Sequence, residues 1–136
     1  VRFERLEGLG VLLHGVDLVE VARIAQIRAR HGDRFLERVF TPAERDYALA
    51  SRRADERLAA RFAAKEAVMK ALGTGQGSGV HFRDIEVVHD HRGAPALVLH
   101  GRAHTVARER RIRSWTISLS HVRQIAIASV IGMVGD

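Results

Sequence analysis

Glu56-Arg57-Leu58-Ala59-Ala60-Arg61-Phe62-Ala63-Ala64-Lys65-Glu66-Ala67-Val68-Met69-Lys70-Ala71-Leu72 (ERLAARFAAKEAVMKAL, residues 56–72) is the stretch on which the reading of the fold turns. Leu58, Phe62, Met69 and Leu72 fall on one stripe at helical spacing. Most other positions are alanine, which lets neighbouring elements approach on several sides. The pattern predicts a helix over 56–72 that serves as a packing centre. On its N-terminal side, residues 11–19 are mostly apolar, broken by His14, Gly15 and Asp17, and read as a first strand. A helix follows, with Val21, Ile24, Ala25 and Ile27 apolar and Arg23, Arg28 and Arg30 basic, ending at His31-Gly32-Asp33. Thr41-Pro42-Ala43-Glu44 places an N-cap, a proline and a capping-box acid at the start of another, charged helix.

On the C-terminal side lies Gly73-Thr74-Gly75-Gln76-Gly77-Ser78-Gly79, glycine at every second position. Strands are expected over 84–89 and 96–100, joined by the turn Arg92-Gly93-Ala94-Pro95. A short basic helix is expected over 103–111. Residues 114–120 alternate, Trp115, Ile117 and Leu119 against Ser114, Thr116, Ser118 and Ser120, and a last strand covers 125–131. One strand, several helices and then mostly strands predicts an α+β fold with helices packed on an antiparallel sheet. Residues 1–10 read as an N-terminal extension and 11–136 as a single domain.

Composition narrows the function. The chain has 136 residues, 46% hydrophobic, enough to bury a core without staples. With no cysteine it has no thiolate nucleophile and no Cys-ligated zinc, and it suits a reducing, cytoplasmic compartment. No apolar run approaches the roughly 20 residues of a membrane helix, and Arg2, Glu4, Arg5 and Glu7 do not read as a secretory signal. Lys+Arg 22 against Asp+Glu 16 gives +6, so anionic partners are expected. A basic nucleic-acid-binding domain without enzymatic activity is the alternative reading. It lacks a recognised motif, and at 5% aromatics the chain has few residues for a stacking platform. Lys65 and Lys70 are the only lysines among those basic residues. Where arginine is the rule, a lysine suggests that a compact ammonium is needed.

Asp17 lies between Val16 and Leu18, where a strand disfavours aspartate. It is either a strand-end or cap residue or a carboxylate aimed at a metal from a rigid strand. Glu66 and Lys70, four residues apart, share an edge of the helix beside the apolar stripe. They are either a surface pair contributing about 0.2–0.5 kcal/mol or, on so apolar a helix, a buried acid with a cation partner. Lys65 falls inside the stripe and either snorkels to the rim or pairs in the core. The glycine-rich loop lacks Walker A spacing and trails its helix; Gly73 suits a C-terminal cap, and the further glycines permit close approach to a phosphate. No HExxH pair exists among the eight histidines. His121 stands apart because it ends a strand at a turn. Two carboxylates on separate elements, a nearby lysine and a glycine-rich loop fit a magnesium–phosphate site.

These residues stand in a pattern that resembles the holo-acyl-carrier-protein synthases, the small 4′-phosphopantetheinyl transferases. Residues 15–24 (GVDLVEVARI) resemble the family's N-terminal motif, and residues 61–75 (RFAAKEAVMKALGTG) its second. Asp84-Ile85-Glu86-Val87, the Gly93-x-Pro95 turn and Ser118-Leu119-Ser120-His121 resemble the third region. The resemblance implies the family's fold. It also implies transfer of 4′-phosphopantetheine from coenzyme A to a serine of apo-acyl carrier protein in fatty acid biosynthesis, dependent on Mg²⁺ with Mn²⁺ as a substitute. Carried over, Asp17 and Glu66 hold the metal, Glu66 accepts the serine proton, and Lys70 neutralises charge on the phosphates. Arg61, Lys70, Gly73, Gly75, Pro95 and His121 fall where the family contacts coenzyme A. Arg23, with Arg28, falls on the face that meets the acidic carrier protein. The family's homotrimer implies sites at subunit interfaces, with Trp115, Ile117 and Leu119 partly in the contact. Partners other than nucleic acid or membrane follow from the same resemblance. The sequence departs from the family pattern at Val122, after the histidine, and at Ala94, before the turn proline.

Overall fold

The computed structural model describes residues 11–74 and 78–135. The extension read over residues 1–10 and the loop glycine Gly75 lie outside the described residues. The chain runs β1 (Val11–Glu20), α1 (Val21–His31), α2 (Asp33–Val39), α3 (Pro42–Leu49) and α4 (Ala54–Leu72). A 3-10 turn (Phe82–Asp84) then leads into β2 (Ile85–His89), β3 (Pro95–Leu99), α5 (Gly101–Glu109), β4 (Ile112–His121) and β5 (Ile125–Val134). No described helix is long and apolar enough to cross a membrane.

The α+β expectation is met, but the strands divide between two antiparallel sheets. β1, β5 and β4 form one, with β5 central; β2 and β3 form a hairpin of their own. The hairpin follows from the turn: Asp90 Oδ1 accepts from the N–H groups of Arg92 and Ala94, and Gly93 takes φ 82°. Residues 34–39, unassigned by periodicity, belong to α2, which starts at Asp33 and is entered through Gly32 at φ 53°.

Helix α4 sits against the inner face of the three-stranded sheet and is buried nearly all round, from Ala54 to Leu72. Its alanines make this possible, since a small side chain lets a strand or helix backbone come close. Gly15 shows how close: a Cβ there would overlap the carbonyl oxygen of Ala67. Among the described residues, the sheet's inner face presents Val19, Ala126, Ala128 and Val130 to the core, with Trp115, Ile117 and Leu119 partly buried against it. Within the chain these three pack inward, and each keeps part of its surface exposed. The outer face carries Val16 and Leu18 of β1 and Ile125, Ile127 and Met133 of β5, all exposed.

The capping box at Thr41 and Glu44 forms as expected, and Lys65 chooses the core. Its ammonium is fully buried and donates to Glu44 Oε1 at 2.7 Å, to the Phe82 carbonyl at 3.1 Å and to the Ile85 carbonyl. Glu44 also accepts from the backbone N–H groups of Thr41 and Val87. Three donors meet three acceptors, which is the condition under which a buried charge is tolerated. Burial pulls the Lys65 ammonium below the usual lysine range, and the Glu44 carboxylate opposes it.

Candidate active site

The close seating of β1 on α4 decides the first half of the site. Asp17 follows Gly15 by two residues, so its side chain points to the face on which Gly15 meets α4. Lys70 Nζ donates to Asp17 Oδ1 at 2.7 Å and to the Val16 carbonyl at 3.1 Å. Glu66 lies one helical turn before Lys70 and meets the same carboxylate. Its carboxyl is held above the ordinary range, first by burial, then by the charge of Asp17 and a hydrogen bond with it; Arg23 and Lys70 pull the other way. The Lys70 ammonium is raised mainly by its hydrogen bond to Asp17. Asp17, Glu66 and Lys70 are therefore one electrostatic unit assembled from a strand and a helix.

Glu66, Lys70 and Gly73 line a cavity of about 440 Å³ with Met69, Thr74, Val80 and Phe82. Gly73 ends α4 in the left-handed conformation at φ 68°, which turns the chain along this cavity. Among the described residues no three His, Asp or Glu side chains cluster as a metal site. The protein's offer is the Asp17–Glu66 pair. That pair fits Mg²⁺: both are hard oxygen donors, and a divalent ion relieves the repulsion that raises Glu66.

Arg61, Pro95 and His121 come together elsewhere. They line a cleft of about 320 Å³ with Tyr47, Arg53, Arg57 and His89. Arg61 and Glu66 are five residues apart, about 140° round the helix, and so face different neighbours. Arg57 and Arg61 stack on the Tyr47 ring, 4.3 and 4.4 Å from its centroid. Arg61 is 4% exposed, and its Nε lacks a hydrogen-bond partner among the described residues. His89 lies 3.3 Å from Arg61 and is held below the ordinary histidine range by burial and by the charges of Arg61 and Arg57. Among the described residues, the two hollows share no lining residue.

Arg23 and Arg28 both lie on α1 but differ in their commitments. Arg23 is exposed and its charge reaches Glu66. Arg28 is tied to Asp55 at 3.1 Å. Sequence reasoning missed Tyr47, Arg53, Arg57 and His89. One signal was available: Arg53, Arg57 and Arg61 recur every four residues, which stacks them on one helix face. Tyr47 and His89 carry no local mark.

The chain and its fold have known relatives. Residues 14–128 match the family model described as the 4′-phosphopantetheinyl transferase superfamily. The chain is 52% identical over 121 residues to a holo-acyl-carrier-protein synthase of Koribacter versatilis, covering 89% of this chain and 97% of that one. Its fold matches a holo-(acyl-carrier-protein) synthase from Bacillus anthracis in complex with CoA (3′,5′-ADP), at TM-score 0.74 and 36% identity over 91% of this chain and 98% of that one. It also matches the ACPS–CoA complex of Chronobacterium ammoniagenes, at TM-score 0.79 and 34% identity, over 93% and 99% respectively. With a match that spans most of β1, all of α4 and both hollows' principal residues, the chain belongs to the 4′-phosphopantetheinyl transferase superfamily.

Proposed function

We propose that this protein is a holo-acyl-carrier-protein synthase, moving 4′-phosphopantetheine from coenzyme A to a serine hydroxyl of an apo-acyl carrier protein and releasing adenosine 3′,5′-bisphosphate. The observation that carries the reading is the convergence of Asp17, from a distant segment, on Glu66 and Lys70, which line one cavity. The serine oxygen bonds to the phosphorus that carries pantetheine, and that phosphorus parts from the bridging oxygen of the pyrophosphate. Glu66, at the edge of the cavity beside Asp17, takes the serine proton. Lys70 neutralises the charge left on the bridging oxygen. Asp17 and Glu66 would hold Mg²⁺, which when bound supplies Lewis-acid charge to the pyrophosphate. Gly73 borders the phosphates, the place that the family resemblance also gives Gly75. Arg61, Pro95 and His121 contact the rest of coenzyme A; the unpartnered Arg61 Nε, in a cleft rich in cations, supports an anionic ligand there. Arg23, with Arg28, meets the acidic carrier protein.

The same reading includes a cytoplasmic homotrimer working in fatty acid biosynthesis. Two separate hollows on one chain and an exposed apolar sheet face both favour assembly: a long ligand spans the hollows when a second copy brings its cleft to the first cavity. The test is to incubate the protein with coenzyme A, Mg²⁺ and a panel of apo-carrier proteins. By mass spectrometry, the carrier gains the mass of the phosphopantetheine arm. Asp17→Ala and Glu66→Ala each lower the rate by roughly 10²–10³-fold or more. No gain on any carrier, or full activity in both variants, overturns the proposal.

A further inference from the structure

The cleft lined by Arg53, Arg57, Arg61, His89 and His121 suits an anion. One residue beside it works against that. Glu56, in the first turn of α4, places Oε1 3.2 Å from His121 Nδ1 and Oε2 3.8 Å from Arg53 Nε. A carboxylate near an anion repels it, and the repulsion is stronger because the Glu56 side chain is only 13% exposed. Arg53 does not account for the acid, since its side chain is 76% exposed and such a rim pair contributes little. His121 does. The ring closes the cleft from the end of β4, and its Nδ1 is turned to Glu56.

We infer that Glu56 is a positioning residue for His121: it accepts the Nδ1–H, fixes the ring, and leaves Nε2 as the nitrogen offered to the part of coenzyme A that enters this cleft. The inference rests on the function proposed above for the ligand, and on geometry alone for the ring. A histidine whose second nitrogen is held by a carboxylate has its tautomer and orientation set before ligand arrives. Glu56 and His121 are 65 residues apart, and the contact exists because β4 ends beside the start of α4.

The test uses the full chain and four variants: Glu56→Ala, Glu56→Gln, His121→Ala and the double Ala variant. Long-range ¹H–¹⁵N NMR above pH 8, where ordinary histidine is neutral, reads the tautomer. His121 is Nδ1-protonated in the parent and in Glu56→Gln, and reverts to a mixture in Glu56→Ala. In steady-state assays Glu56→Ala raises KM for coenzyme A about tenfold, kcat changes less than about twofold, and Glu56→Gln restores most of the loss. With His121 already alanine, removing Glu56 changes KM by less than about twofold. An unchanged tautomer in Glu56→Ala, or an equal loss with and without His121, overturns the inference. A Glu56-dependent tautomer in a parent that neither binds nor consumes coenzyme A overturns the proposed function and the ligand half of this inference, and keeps the ring orientation.

Discussion

Gly15 matters for what it lacks. Its Cα faces the α4 backbone at Ala67, and any Cβ must push strand and helix apart. Since Asp17 and Lys70 meet across that contact, the push also opens their 2.7 Å bond. Gly15→Ala should cost about 1–3 kcal/mol in urea unfolding and lower transfer activity disproportionately, because overpacking shifts backbone. Equal activity at the parent's level would show that the seating is not critical. Glu86 offers a second residue-scale case. Burial raises its carboxyl, but the Thr41 hydroxyl at 2.6 Å, the His100 ring at 3.0 Å and the charges of His100 and Lys65 outweigh burial and hold it below the ordinary glutamate range. A lowered folded value means the unfolded chain binds the proton more readily. The stabilisation is therefore complete above the ordinary glutamate value and is lost as pH falls through the folded one. Glu86→Gln should cost roughly 1–2 kcal/mol at pH 7, and the gap should narrow as pH falls below the ordinary glutamate range when unfolding is followed across pH.

At the scale of elements, the buried Lys65–Glu44 pair ties α4 to α3, to the 3-10 turn and to β2. Lys65 adjoins Glu66 in sequence but points to the opposite task, holding the hairpin side of the molecule to the helix whose other face bears the carboxylates. Removing only one partner strands a charge in the core. Lys65→Ala is expected to cost about 3–5 kcal/mol, while the paired change Lys65→Met with Glu44→Gln costs clearly less; denaturant midpoints of the two variants decide it. Equal losses would mean that the methylenes, and not the charge, carry the contact. The capping box explains why Glu44 is available at all: the acid that starts α3 is already held by Thr41, so it reaches Lys65 preorganised.

For the whole molecule, the sheet separates two roles. Its inner face is filled by α4, and its outer face leaves Leu18 at 57% and Ile127 at 37% exposed on paired strands. Such a patch is expected to be covered by further copies of the chain. The proposed trimer predicts that Leu18→Glu lowers the mass in light scattering from three chains to one and reduces transfer in parallel, with far-UV circular dichroism unchanged. A mass that does not move would place the contact elsewhere. The basic face of α1 belongs to this scale too, since Arg23 is exposed and its charge extends to Glu66.

Local pattern was enough to read helix α4 from its stripe, the α3 cap from Thr41-Pro42-Ala43-Glu44, the alternation of β4, and the motifs carrying Asp17, Glu66 and Lys70. These depend on residues a few positions apart, where backbone geometry dictates which side chains share a face. The division of strands into two sheets, the burial of Lys65 on Glu44, the separation of Arg61, Pro95 and His121 from the carboxylates, and the Glu56–His121 contact were not legible that way. Each joins segments tens of residues apart, and which of them meet depends on how closely backbones pack. Alanines and one glycine allow that packing around α4, and the tertiary structure alone shows which partners take the space.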